Sequence, residues 1–260
     1  MESVLLATHR RDINQHCELA EAHGVGLEIQ VYGYEPNLLD GGWRELLDQH
    51  HAALRGFAGD LAIHGAFYDL APGSVDHRAS ALARERYVLN LEIAAELGAR
   101  HVVFHTDFIP IVPSPAYRDG WTARQVAFWG RLVEEAASRD LIIVLENMWD
   151  SAPDIIGDVL DQVDSNHLCA CLDVAHFYLY GRDVSLQNWI ARIAHRLVHC
   201  HLNNHHGRYD EHQPLDSAGG VIDYRQDVLP QLARVPNPLW LVLEMDQLEY
   251  LERSLRYLGL

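Results

Sequence analysis

Residues 141–173 read LIIVLENMWDSAPDIIGDVLDQVDSNHLCACLD, and their rhythm decides the fold. An apolar run over 141–146 closes on a carboxylate, apolar residues at helical spacing occupy 153–163, and a second apolar run over 168–173 closes on another carboxylate. Strand, helix and strand follow one another through short polar joins. Such a unit asks for parallel strands with the helix packed outside them.

The same beat continues in both directions. Upstream, strands are expected at 3–7, 26–32, 61–64 and 101–105, and helices at 13–22, 43–57, 77–97 and 122–139, the last reached through a loop holding Pro110, Pro113 and Pro115. Downstream, strands fall at 198–202 and 239–244, with helices at 185–194, 224–233 and 247–258. Eight units with no Ser/Gly linker and no break in composition predict one α/β domain over 1–260, closed as a (β/α)8 barrel. An open doubly wound sheet is the alternative, but no glycine fingerprint follows the first strand to support it.

Composition narrows the function. Hydrophobic residues make up 48% of the chain, enough for a sizeable core. The net charge of −17 repels polyanions and counts against a general nucleic-acid binder, leaving a small-molecule substrate. Cys17, Cys169, Cys171 and Cys200 show no CxxC spacing, and three of them lie in apolar runs where a thiol acts as a small hydrophobe. The first apolar run is too short for a signal peptide and no stretch approaches membrane-spanning length, so a cytoplasmic protein without a membrane partner is expected. Oligomerisation is left open.

In such a barrel the chemistry sits at the C-terminal ends of the strands. Those ends carry His64, His105, Glu146, Asp173, His201 and Glu244, with His176 one turn past the sixth strand. The loop after the seventh strand, VHCHLNNHHGRYDEHQPLD at 198–216, adds Asp210 and His212. Singly, a strand-end histidine can be a core residue, and Glu146 or Asp173 can cap the next helix. Jointly, six successive strands ending in His, His, Glu, Asp, His and Glu would bury a costly polar cluster unless it holds cations. Divalent transition-metal ions are therefore expected, one to three per chain, with Zn2+ the leading candidate and Mn2+ and Fe2+ the alternatives.

Five motifs carry a resemblance: LENMWD at 145–150, CLDVAHFYLYG at 171–181, HCHLNN at 199–204, YDEH at 209–212 followed by AGGVIDY, and VLEM at 242–245. From the second strand on, the chain resembles the xylose-isomerase-like TIM barrels, which join sugar isomerases and epimerases to the apurinic endonucleases of family 2. The resemblance implies a metal site shared by the whole superfamily at Glu146, Asp173, His201 and Glu244. Its endonuclease-like branch implies a second ion at His64 and His105 with Glu146 bridging, and a third at His176, Asp210 and His212.

All nine positions are filled, so the first expectation is hydrolysis of a phosphoester in a small-molecule or nucleotide-like substrate. The alternative is a single-metal sugar or sugar-phosphate isomerase or epimerase, in which Glu146 and Glu244 exchange a carbon-bound proton through an enediolate while His176 and Arg208 orient the substrate. Glu28 resembles the carboxylate that isomerase-like members place on the second strand and is expected to face substrate. Trp149, with Tyr32, Tyr34, Phe67, Tyr68, Phe108 and Phe177, offers either an apolar wall for a substrate ring or plain loop packing.

Overall fold

Eight parallel strands form in the computed structural model, which describes residues 3–112 and 114–260; Pro113, read as part of a proline-rich loop, lies outside them. The strands are β1 (Ser3–Thr8), β2 (Gly26–Ile29), β3 (Leu61–His64), β4 (His101–His105), β5 (Ile142–Glu146), β6 (Leu168–Asp173), β7 (Leu197–Leu202) and β8 (Trp240–Leu243). Each pairs with its neighbour in the chain, and β8 returns to β1, closing the expected (β/α)8 barrel. Around it run α1 (Asn14–His23), α2 (Val31–Tyr34), α3 (Trp43–Ala53), α4 (His77–Leu97), α5 (Pro115–Ala137), α6 (Asp154–Val163), α7 (Val174–Tyr180), α8 (Leu186–Ile193), α9 (Leu229–Leu232) and α10 (Leu248–Leu258).

Side chains alternate along each strand, and the alternation sorts the core into two layers. Leu6, Leu27, Ile29, Ile63, Val102, Phe104, Ile143, Leu145, Ala170, Leu172, Leu241 and Leu243 belong to the large outer core beneath the helices. Their neighbours of opposite parity make two small separate clusters: Leu5, Ala7, Ala62, Trp240 and Val242, and Val103, Val144, Cys169 and Cys171. The second set faces the barrel axis. Counting upward from it in steps of two leads to His64, His105, Glu146, Asp173 and Glu244, so the inner parity that fills the barrel also aims the candidate ligands at its mouth.

Several element ends differ from the sequence reading, each for a local reason. The second strand was expected to reach residue 32 but stops at Ile29, because Gln30 turns helical (φ −106°, ψ −12°) and α2 begins. Gly33 in that turn lies against the next loop, where a Cβ would stand 2.4 Å from the Gly65 carbonyl oxygen. The fourth long helix starts at Pro115, seven residues before the expected 122, with Ser114 as its cap and Pro115 at a position whose N–H is not needed. The helix expected over 224–233 is a π turn, Tyr224–Val228, running into α9. Pro230 has no N–H to give to a carbonyl one turn back, and the regular ladder cannot pass through it.

Candidate metal centre

Glu146 lies at the centre of the mouth. Its Oε2 is 3.4 Å from His64 Nε2, 3.4 Å from His105 Nε2 and 3.4 Å from His201 Nδ1, and its Oε1 is 3.2 Å from His176 Nδ1. His201 Nδ1 is also 3.2 Å from Glu244 Oε2 and 3.9 Å from Asp173 Oδ2. Among the described residues four sets of donor atoms converge to within 4.8 Å, three of them at the mouth: His64, His105 and Glu146; Glu146, Asp173 and His176; Asp173, His201 and Glu244; the fourth is Cys171, His199 and His201. Seven of the nine positions chosen from sequence thus share one buried cluster.

Asp210 and His212 arrive from the loop after β7. Asp210 Oδ2 lies 3.3 Å from His176 Nε2 and 2.7 Å from His212 Nε2, and His212 Nδ1 is 3.3 Å from Asp246 Oδ1. Asn204 holds the base of this loop: its amide donates to the carbonyls of Leu215 (3.1 Å) and Ile222 (3.0 Å), and its carbonyl accepts from the N–H groups of His205 and Ile222. The tip, with Arg208 and Tyr209, is exposed.

The cluster holds polar atoms that no hydrogen bond satisfies. Glu146 Oε2, Asp173 Oδ2 and His201 Nδ1 are buried without a hydrogen-bond partner among the described residues. Leaving such atoms unmatched costs about 1–3 kcal/mol each, more for charged groups. A divalent cation among them would satisfy all three at once, and imidazole with carboxylate is a donor set that Zn2+, Mn2+ and Fe2+ accept. The residues therefore fit the metal that the sequence suggested.

The electrostatics agree with a cluster short of positive charge. Burial by itself raises the Glu146 carboxyl, but His201 and His105 more than offset it and hold the group well below the usual range. Burial also raises Asp173; His176 pulls it down, yet the nearby Glu146, Asp210 and Glu244 keep it above an ordinary aspartate. Carboxylates crowded this way repel one another unless a cation neutralises them.

Two residues expected at the substrate take other positions. Glu28 is wholly buried beneath the rim, where His199 Nε2 (2.9 Å), His201 Nε2 (3.1 Å) and Gln30 Nε2 (3.0 Å) surround it, so it faces the protein and not the mouth. Arg208 projects to solvent at the loop tip. Trp149 does stand near the mouth: with Phe67, Tyr68, Leu70 and Met148 it lines a cavity of about 370 Å³ that opens beside His105.

His199, His101 and Gln30 did not emerge from sequence reasoning. Their signal was the two-residue step: His199 shares parity with His201, His101 with His105, and Gln30 with Glu28.

The family described as xylose isomerase-like TIM barrel matches residues 18–259. An uncharacterised protein of Methanocaldococcus jannaschii, MJ1311, is 26% identical over 159 residues, 59% of this chain and 54% of that protein, so the chain spans about half the length of this relative. Among solved structures, the TTHB071 protein of Thermus thermophilus, soaked with ZnCl2, is 28% identical with a TM-score of 0.81, covering 99% of this chain and 96% of its own. A D-tagatose 3-epimerase-like protein is 20% identical with a TM-score of 0.81 over the same shares.

Proposed function

Since the chain belongs to the xylose isomerase-like TIM barrel family, we propose that it is a divalent-metal-dependent isomerase or epimerase of a sugar or a related hydroxy-ketone. One observation carries the reading: Glu146 Oε2, Asp173 Oδ2 and His201 Nδ1 are buried and unmatched at a mouth that Glu244 also faces. Glu146, Asp173, His201 and Glu244 would hold one ion, with Zn2+ the first candidate given the zinc-soaked relative. Such an ion polarises carbonyl and hydroxyl oxygens and acidifies the carbon-bound hydrogen between them.

The protein's own part is proton transfer and positioning. Glu146 ends β5 and Glu244 follows β8, three strands apart around the barrel, so the two carboxylates approach a central substrate from different sides. One removes a proton from the carbon beside the carbonyl, giving an enediolate, and the other returns it. His176, its Nδ1 on the Asn147 carbonyl (2.9 Å) and its Nε2 facing Asp210 (3.3 Å), would hold Asp210 at the edge of the mouth, where that carboxylate can orient a substrate hydroxyl. Trp149 and Phe67 line the apolar side of the mouth, where a substrate's carbon skeleton would rest.

Phosphoester hydrolysis, the first expectation from sequence, is the weaker reading. The loops that frame Asp210 and His212 add Glu211 and Asp246, and a phosphate dianion would have to settle among these carboxylates. A sugar-epimerase-like neighbour of matching size also supports the isomerase. The trio of His64, His105 and Glu146, and the approach of His176 to Asp210, speak for further ions.

The deciding experiment incubates metal-loaded protein with a panel of ketohexoses in D2O and follows deuterium into the substrate carbon by NMR. Exchange abolished by chelator is the expected result. Chelator-sensitive hydrolysis of a generic phosphodiester without any exchange overturns the proposal. Elemental analysis of wild type and His64→Ala counts the ions: one in both accords with the isomerase, two or more falling by one in the variant with the hydrolase.

A further inference from the structure

A carboxylate inside a (β/α)8 barrel is out of place where branched apolar side chains ordinarily fill the layers. Glu28 is such a carboxylate, fully buried below the mouth. Its Oε2 accepts from His199 Nε2 at 2.9 Å, and its Oε1 lies 3.1 Å from His201 Nε2 and 3.0 Å from Gln30 Nε2. The same Gln30 amide donates to Glu244 Oε1 at 2.7 Å. Below, His199 Nδ1 is 3.1 Å from His101 Nδ1. A polar column thus descends from the rim along the barrel interior, and the lower end stacks on Trp240.

The direction of these bonds follows from elementary chemistry. An ionised carboxylate only accepts, so His199 and His201 must each present Nε2–H to Glu28. With Nε2 carrying its proton, the lone pair of neutral His201 resides on Nδ1, and Nδ1 is the unmatched atom turned toward Glu146, Asp173 and Glu244. His199 then accepts at Nδ1 from His101. The same assignment removes a rival site: Cys171, His199 and His201 cluster closely, but both nitrogens of His199 are already engaged.

We propose that Glu28 is a positioning residue that fixes the tautomer and ring plane of His201 and, through Gln30, the carboxylate of Glu244, so that the candidate ligands of β7 and of the segment after β8 are set before a cation arrives. This rests on the metal reading above. Outer carboxylates that hold a ligating histidine are typically worth about 10–100-fold in metal affinity.

The test measures Zn2+ affinity by chelator competition for wild type and Glu28→Gln, together with long-range 15N spectra of the histidines in Zn2+-loaded wild type, His201 being assigned by its loss in His201→Gln. Glu28→Gln is expected to bind Zn2+ about 10–100-fold more weakly, and His201 in Zn2+-loaded wild type is expected to carry its proton on Nε2, with no proton on Nδ1. Binding by Glu28→Gln within twofold of wild type overturns the inference while leaving the metal site standing, and a proton on Nδ1 of His201 in the Zn2+-loaded protein removes that histidine from the site and overturns both. Wild type that takes up no Zn2+ overturns both. If Glu28→Gln does not fold, the Nε2–H proton of His201 in wild type decides: a resonance shifted far downfield by the carboxylate is expected, and one at the position of a solvent-exposed imidazole overturns the inference.

Discussion

Gly65→Ala is expected to destabilise the barrel through a single methyl group. The added Cβ would stand 2.1 Å from Phe104 Cε1 and 2.6 Å from its Cδ1, where relaxed carbon contacts lie at about 3.5–4.0 Å. Relief requires the ring to retreat by about 1.5 Å. Phe104 is fully buried, stacked on Tyr87 with ring centroids 4.1 Å apart and packed on Trp129 at 6.0 Å, so its retreat pushes on two other buried rings. Overpacking of this kind costs about 1–3 kcal/mol. For a chain of this size that is a fall of about 2–12 °C in Tm. Differential scanning calorimetry of metal-free protein reads it directly, and the double variant with Phe104→Leu tests the cause. In the Phe104→Leu background the same substitution should cost about 1 kcal/mol less. A Tm within 1 °C of wild type, or strict additivity of the two changes, refutes the reasoning. Because the Gly65 carbonyl accepts from His64 Nδ1 at 2.9 Å, a shifted residue 65 also disturbs that ring.

Three further outcomes can be checked independently. Glu146→Gln and Glu244→Gln should each lower turnover by about 10²–10⁴-fold with the far-UV circular dichroism unchanged; near-wild-type turnover in either removes its carboxylate from proton transfer. Burial pushes the Asp150 carboxyl up from 3.8 to about 7 against hydrogen bonds from Thr106 and Met148. Between those pH values the folded protein holds a proton that the unfolded chain releases, so stability declines as pH rises through the window. Asp150→Asn should flatten that part of the Tm-against-pH curve, and parallel curves for variant and wild type would count against the assignment. Zn2+ at about 100 times its Kd should raise the unfolding free energy by about 2.7 kcal/mol, reversed by EDTA; a Tm indifferent to both would leave the cluster without a cation.

The strands were legible because parallel strands covered by helices are apolar on both faces and stand out as unbroken runs. Four of their ends were legible because the run broke on His, Asp or Glu, at His64, His105, Glu146 and Asp173. Helix ends were harder. Ser114–Pro115 opens α5 with both a cap and a proline at the first turn, yet among neighbouring prolines it reads as loop. The break of β2 at Ile29 brings Gly33 against Gly65, a contact between segments that local pattern does not contain. At the site, residue type disclosed the candidate ligands, whereas the role of Glu28 did not follow from type. A carboxylate one layer below the rim looks the same in sequence as one at the rim, and only the hydrogen bonds to His199, His201 and Gln30 separate them.

The hub at Asn204 divides the loop after β7 into two parts with different freedom. Its four bonds reach Leu215, Ile222 and His205 and leave the side chains of Arg208 and Tyr209 untied. A Cβ at Gly220 would fall 2.6 Å from the Asn204 amide, so the anchorage tolerates little change. Descendants of such a gene can therefore vary the outer segment one mutation at a time, while the inherited chemistry beneath stays in register.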